Sequence, residues 1–237
     1  MNDRHIVSAF DQDLMRIGAG IAEMGGLVEE QLGAAVRAIR ERDSELAEEV
    51  IARDKRIDEM DAELEASAIE IMALRQPMAN DLRSVVAAMK ISSTLERMGD
   101  LAKNVAKRAL VLNQNPPIKV IGSIARLGKQ VQALVSDVLD AYTTGNTENA
   151  VEVWNRDVEI DEMHNSIFRE LTTYMMEDPR TIGLGSQLMF VTKNLERIGD
   201  HATFIAEMTY FVVEGEALTD DRPKSSDWQD LAGEAEG

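Results

Sequence analysis

The chain repeats itself once. Arg53-Asp54-Lys55-Arg56-Ile57-Asp58-Glu59-Met60-Asp61 returns 103 residues later as Arg156-Asp157-Val158-Glu159-Ile160-Asp161-Glu162-Met163-His164. Leu95-Glu96-Arg97-Met98-Gly99-Asp100 returns 100 residues later as Leu195-Glu196-Arg197-Ile198-Gly199-Asp200. Solenoid repeats are shorter, so a period near 100 marks a duplicated domain. Each copy must solve the same folding problem, which leaves few architectures open. Apolar residues recur at three- and four-residue spacing: Leu14, Ile17, Ile21, Met24, Val28, Leu32, Ala35 and Ile39 form one stripe, Ile57, Met60, Leu64, Ile71 and Leu74 a second, and Leu95, Met98, Ala102, Val105, Ala109 and Leu112 a third. Such stripes belong to amphipathic helices. Pro77, Pro116, Pro117, Pro179 and Pro223 are punctuation, because proline inside a helix costs about 3 kcal/mol. Turn signals also fall at Arg42-Asp43-Ser44 and Thr143-Thr144-Gly145-Asn146. No alternating run reads as a strand. The expected fold is all-α: six long helices in two tandem, related three-helix bundles, 1–115 and 116–215. Residues 216–237 are polar and acidic without a stripe, and the reading there is a mostly disordered tail.

The charge balance narrows the partners. Lys and Arg number 25 against 43 Asp and Glu, a formal net charge of -18 that repels nucleic acid and anionic membranes and suits cations. There is no cysteine, which removes thiol catalysis and Cys-type metal sites and suits a reducing cytoplasm. The opening MNDRHIVSAFDQD lacks an apolar signal core, and no apolar run approaches a membrane span; the expectation is a cytoplasmic protein that meets a membrane only through partners. Phe10 is the only aromatic before residue 116, so the first bundle must pack with aliphatic and Met side chains.

The repeated acids carry the chemistry. Asp54, Asp58 and Asp61 stand at i, i+4 and i+7, and so share one helix face; Glu96 and Asp100 are i, i+4. The second half offers Asp157, Asp161 and His164 with Glu196 and Asp200. Antiparallel helices joined by a tight turn pair residues equidistant from it. Asp54 with Asp100, and Asp58 with Glu96, centre on Pro77. Asp157 with Asp200, and Asp161 with Glu196, centre between Asp178 and Pro179. Both clusters should therefore lie level on neighbouring helices, and a multivalent cation would relieve the repulsion of converging carboxylates. Oxygen donors suit Mg, Mn, Ca or Fe, and the His164 nitrogen favours Fe or Zn.

Other readings stay open. Acidic runs are commonly solvated faces, with Lys55 pairing Asp58, Lys103 pairing Asp100 and Lys193 pairing Glu196. A di-metal enzyme would need Glu-x-x-His ligands, and Asp161-Glu162-Met163-His164 is one partial copy. No nucleophile–base set is present, so no catalytic residue is assigned. No anion nest suggests a phosphate receptor. His5 and His201 read as isolated packing or surface residues. Gly18, Gly20, Gly25, Gly26 and Gly33 inside the first helix imply close helix approach or a bend, and Gly99 and Gly199 imply close approach beside the acids.

The duplicated Glu-Arg-hydrophobic-Gly-Asp, the stretch Arg75-Gln76-Pro77-Met78-Ala79-Asn80-Asp81-Leu82-Arg83 and the stretch Tyr174-Met175-Met176-Glu177-Asp178-Pro179-Arg180-Thr181-Ile182 resemble the PhoU family of bacterial phosphate-transport regulators, over about residues 4–215. The resemblance implies two three-helix bundles and a non-enzymatic, cytoplasmic homodimer. It implies multinuclear metal, Fe or Zn with Mg or Mn as alternatives, held through Asp54–Asp58, Glu96–Asp100, Asp157–Asp161 and Glu196–Asp200. It also implies negative regulation of phosphate uptake and of the phosphate-starvation response, with the transporter ATPase PstB and the sensor kinase PhoR as partners. His164 for Asp61, and Phe204 for Asn104, depart from the first repeat and predict a smaller or differently selective second site.

Overall fold

The computed structural model describes residues 2–117 and 119–218, and side chains from Phe10 onward. Among the described residues six helices run in order: α1 Asn2–Glu41, α2 Ser44–Arg75, α3 Asn80–Asn113, α4 Ile121–Thr144, α5 Thr147–Glu177 and α6 Ile182–Glu214, with a 3-10 turn at Pro179–Thr181 before α6. There is no strand among the described residues. Among the described residues no helix is long and apolar enough to cross a membrane. The expected tail falls almost wholly on 219–237, outside the described residues.

Local chemistry sets the breaks. Arg42 turns left-handed at φ 59, and Asp43 then caps α2 by accepting from the Leu46 amide at 2.9 Å. Arg42 also donates to the Asn113 and Asn115 carbonyls, at 2.6 and 2.7 Å, tying this corner to the end of α3. Before Pro77, Gln76 takes φ 46 and ends α2. Gly145 at φ 64 ends α4, and Asn146 caps α5 through the Asn149 amide at 3.1 Å.

Helices α1–α3 pack as one bundle and α4–α6 as the other, with α2 and α5 on the outside. Ile21, Met24, Leu32, Ile57, Leu95 and Met98 fill the first core, aliphatic and Met-rich as expected. In the second half Trp154 is buried, whereas Phe168 and Phe190 stay exposed. The bundles meet along α1–α4 and α3–α6. In α1–α4, glycine lets the backbones close: a Cβ at Gly25 would sit 2.5 Å from Leu139, at Gly33 2.8 Å from Gln132, and at Gly128 2.5 Å from Val36. These pairs run in opposite directions. So do those of α3–α6, where Arg108 donates to Gln187 at 2.9 Å and lies 5.0 Å from the Phe190 ring, while Arg83 lies 5.9 Å from Phe211. The two halves are therefore related by an approximate two-fold, with Met98 and Ile198 near its axis. The repeated acids lie at the waist, and the α2–α3 and α5–α6 turns point to opposite ends.

Candidate functional site: two acidic faces at the waist

Pro77 and Pro179 set the pairing of α2 with α3 and of α5 with α6, as the spacing predicts. A Cβ at Gly99 would lie 3.5 Å from Asp54 Oδ1 and 3.1 Å from Ile57, and one at Gly199 would lie 3.3 Å from Asp157 Oδ1 and 3.3 Å from Ile160. The two glycines thus bring each α2- or α5-type helix close enough to bury its first aspartate.

On the first face Asp54 is buried at 3 % exposure, accepting from Gln31 Nε2 at 3.1 Å and from the Lys103 ammonium. Gln31 also donates to the Gly99 carbonyl at 3.0 Å, while Lys103 reaches Asp100 as well. Burial draws Lys103 down, but its hydrogen bonds to Asp100 and Asp54 outweigh that and hold it above the usual lysine value. Asp61 accepts from the Ser92 hydroxyl at 2.6 Å. Burial, then the charge of Asp54, pushes Asp58 up; burial, then Asp100 and Asp58, pushes Glu96 up. Of the pairings that a solvated acidic face would make, Lys103–Asp100 and Lys193–Glu196 form, whereas Lys55 does not pair with Asp58. It reaches Glu59, 3.4 Å away, because the outward-facing turn i+4 is closer to its ammonium than the carboxylate over α3.

The second face carries the same plan with other groups. Asp157 is buried, and Glu196 is 9 % exposed with Oε2 buried and without a hydrogen-bond partner. Lys193 donates to Glu196 Oε1 at 2.6 Å. Burial raises the Glu196 pKa against that bond, and the charges of Asp200 and Asp161 raise it further. Thr203 stands where the first repeat has Lys103, and its hydroxyl donates to the Gly199 carbonyl at 2.8 Å. His164, in the place of Asp61, is hydrogen-bonded to the Thr192 backbone; burial and the Lys193 charge lower its pKa. Its Nδ1 is buried without a hydrogen-bond partner. Beside it opens a cavity of about 350 Å³ lined by Phe168, Met189, Phe190 and Lys193. Burial and the charges of Arg197 and Arg97 lower His201.

Each face thus gathers its sequence-chosen acids at one level. Among the described residues, however, no three His, Asp or Glu side chains converge on one point. Gln31, Ser92 and the cross-helix reach of Lys103 to Asp54 escaped the sequence reading. The one available signal was a glutamine set within the apolar stripe from Val28 to Leu32.

The family model described as "PhoU domain" matches residues 21–109 and 124–209, one match per bundle. The chain belongs to the PhoU family. A Caulobacter vibrioides (strain NA1000 / CB15N) relative named "Phosphate-specific transport system accessory protein PhoU homolog" is 52% identical over 93% of this chain and 96% of its own length. The Escherichia coli (strain K12) "Phosphate-specific transport system accessory protein PhoU" is 37% identical over 90% of this chain and 89% of its own. The crystal structure of PhoU from Pseudomonas aeruginosa superposes with TM-score 0.85 at 38% identity, over 87% of this chain and all of that one. PhoU-type duplication thus accounts for the repeat, the six helices and the paired faces together.

Proposed function

We propose that this chain is a non-enzymatic regulator of phosphate uptake and of the phosphate-starvation response. It acts on the transporter ATPase PstB and the sensor kinase PhoR, and restrains both when phosphate is plentiful. The observation that carries the reading is that the PhoU likeness runs through both bundles and nearly the full length of relatives named as phosphate-transport accessory proteins. The protein works in the cytoplasm as a homodimer and reaches the membrane through its partners. A regulator of this kind shifts a partner's equilibrium only by binding two of its conformations unequally.

The donor chemistry of both faces fits a hard or borderline cation. On the first, a lysine ammonium already lies between Asp54 and Asp100, and Asp58 and Glu96 on the same face are both raised. On the second, Glu196 Oε2 and His164 Nδ1 are buried donors left over. Asp58, Asp61, Glu96 and Asp100 would hold an ion on one face, and Asp161, His164, Glu196 and Asp200 on the other, with Asp54 and Asp157 behind them. Such ions would cancel like charge at the waist and give a partner's carboxylate a point of attachment. Lys103 favours a second reading for the first face alone, a metal-free scaffold whose cation is built in.

The test is a pull-down with PstB and with PhoR at high and low phosphate. Retention of either partner, dependent on phosphate, is expected. Indifference to both under both conditions overturns the regulatory reading. Metal analysis of untagged protein separates the cation question: Glu96→Ala with Asp100→Ala, and Glu196→Ala with Asp200→Ala, should each lower the bound metal.

A further inference from the structure

The repeat supplies its own control for the second face. Where α5 and α6 carry Phe168 and Phe190, the first bundle has Glu65 and Lys90, at the offsets of 103 and 100 that relate the acids. Both Glu65 and Lys90 are exposed. The shared fold therefore requires no apolar side chain at either position, yet Phe168 is 38 % exposed and Phe190 55 %. Residues 168 and 190 are equidistant from Pro179, so the rings lie level on neighbouring helices. The cavity of about 350 Å³ beside His164 has both in its wall, together with Met189. Met176 and Ile182, equidistant from Pro179 as well, extend the exposed apolar strip towards the turn. Large apolar side chains that the fold does not need, gathered round an open recess, mark a binding surface.

We propose that the recess receives an aromatic side chain from an acidic segment of a partner protein. Two phenyl rings and a thioether suit an aromatic guest, which packs edge-on to rings and against sulfur. Charge selects what flanks that guest. No acid lines the cavity, and Lys193 does. Arg108 lies 5.0 Å from the Phe190 ring and donates to Gln187, so the end of α3 runs beside the start of α6. α3 has no acid after Asp100 but carries Lys103, Lys107 and Arg108, and α6 has none before Glu196. In a chain of net charge -18 these two stretches form a cationic border, which attracts carboxylates and repels a basic segment.

Lys193 can serve the incoming segment without leaving Glu196. An ammonium donates more than once; one bond goes to Glu196 Oε1 at 2.6 Å, and over half of the side chain remains exposed. The site rests on the regulatory reading in that it states how a partner is held, but it needs no metal. It also occurs in one bundle only, because Glu65 and Lys90 stand in place of the rings in the other. A partner anchored in this way grips α5–α6 and not α2–α3, which gives a nearly symmetric body a single seat.

The test titrates the full chain, in the presence of a metal chelator, with a blocked tripeptide in which 4-fluorophenylalanine stands between Asp and Glu, followed by fluorine NMR. A second peptide carries Lys on both sides of the same ring. The expected result is saturable binding of the acidic peptide, with the lysine peptide about tenfold weaker. Phe168→Glu and Phe190→Lys install the residues that the first bundle already carries, so each should melt in urea like the parent and weaken the acidic peptide about tenfold. Lys193→Gln should weaken the acidic peptide and narrow its lead over the lysine peptide. No saturable binding by the parent overturns the proposal, as does equal affinity for the two peptides, or binding that the variants keep. If one phenylalanine variant melts early the other decides, and if both do, Lys193→Gln decides. Pull-downs with PstB and PhoR separate this site from the regulatory reading. Retention by the parent that is lost in the Phe168→Glu, Phe190→Lys double variant supports both. Undiminished retention by that variant overturns the site alone, and peptide binding with neither partner retained overturns the regulatory reading alone.

Discussion

The two acidic faces share a backbone plan and differ in where their positive charge comes from. On the α2–α3 face Lys103 sits between Asp54 and Asp100, and Gln31 completes Asp54. On the α5–α6 face Thr203 replaces that lysine, and Lys193 approaches Glu196 from the rim with over half of its side chain exposed. Duplication has preserved the geometry that glycine and proline dictate, and left the electrostatics free to diverge. The first face carries an ammonium between two of its acids, and the second carries one at its rim.

The shared geometry breaks first under bulk. Gly99→Leu and Gly199→Leu should each cost about 3 kcal/mol, since the new side chain must push apart helices already in contact. Urea melts of both variants measure this, and a half that accepts leucine without loss would show that the faces are not built alike. Next comes the built-in cation. Lys103→Ala strands a buried carboxylate and should destabilise the protein by about 2 kcal/mol, less than for a wholly buried pair because the lysine is partly solvated. Lys193→Ala should lose under about 1 kcal/mol, as a rim pair does. Equal losses would erase the contrast.

Ion binding sharpens the same contrast. In calorimetric titration of the first face, Lys103→Ala should tighten divalent metal by about tenfold, because the competing charge is gone. Unchanged affinity in that variant would refute the role given to Lys103. The smallest effect concerns pH in metal-free protein. Asp58 and Glu96 are raised above 3.8 and 4.5, so the folded state holds their protons more tightly than the unfolded state does. Their share of stability therefore grows as pH falls from neutral towards those values. His164 and His201 are lowered below 6.5, so their share is lost as pH falls through and below 6.5. Glu96→Gln should flatten the acid-side gain by a few tenths of a kcal/mol in melts between those values, and leave the histidine slope in place.

Much of this was legible beforehand because prolines are hard stops. Once Pro77 and Pro179 fix two tight turns, the level of every acid on the paired helices follows from counting. The apolar stripes likewise fix which face of each helix is buried. Counting along one helix could not reveal Lys103 reaching across to Asp54, or Gln31 arriving from α1, since both depend on the angle at which a third element approaches. Lys55 shows the same limit in miniature: two acids lay within reach, and side-chain direction chose Glu59. Nor does a repeat say how its copies face one another. That was settled by Gly25, Gly33 and Gly128, whose missing side chains admit Leu139, Gln132 and Val36.

Antiparallel halves have a consequence for recognition. A body that presents the same outline from either pole has no intrinsic up or down. A machine made of two identical subunits can grip both waists at once in equivalent ways. A single-copy partner must choose by chemistry alone, by the Lys103 ammonium that one face has and the other lacks and by aspartate against histidine, on surfaces of nearly the same shape.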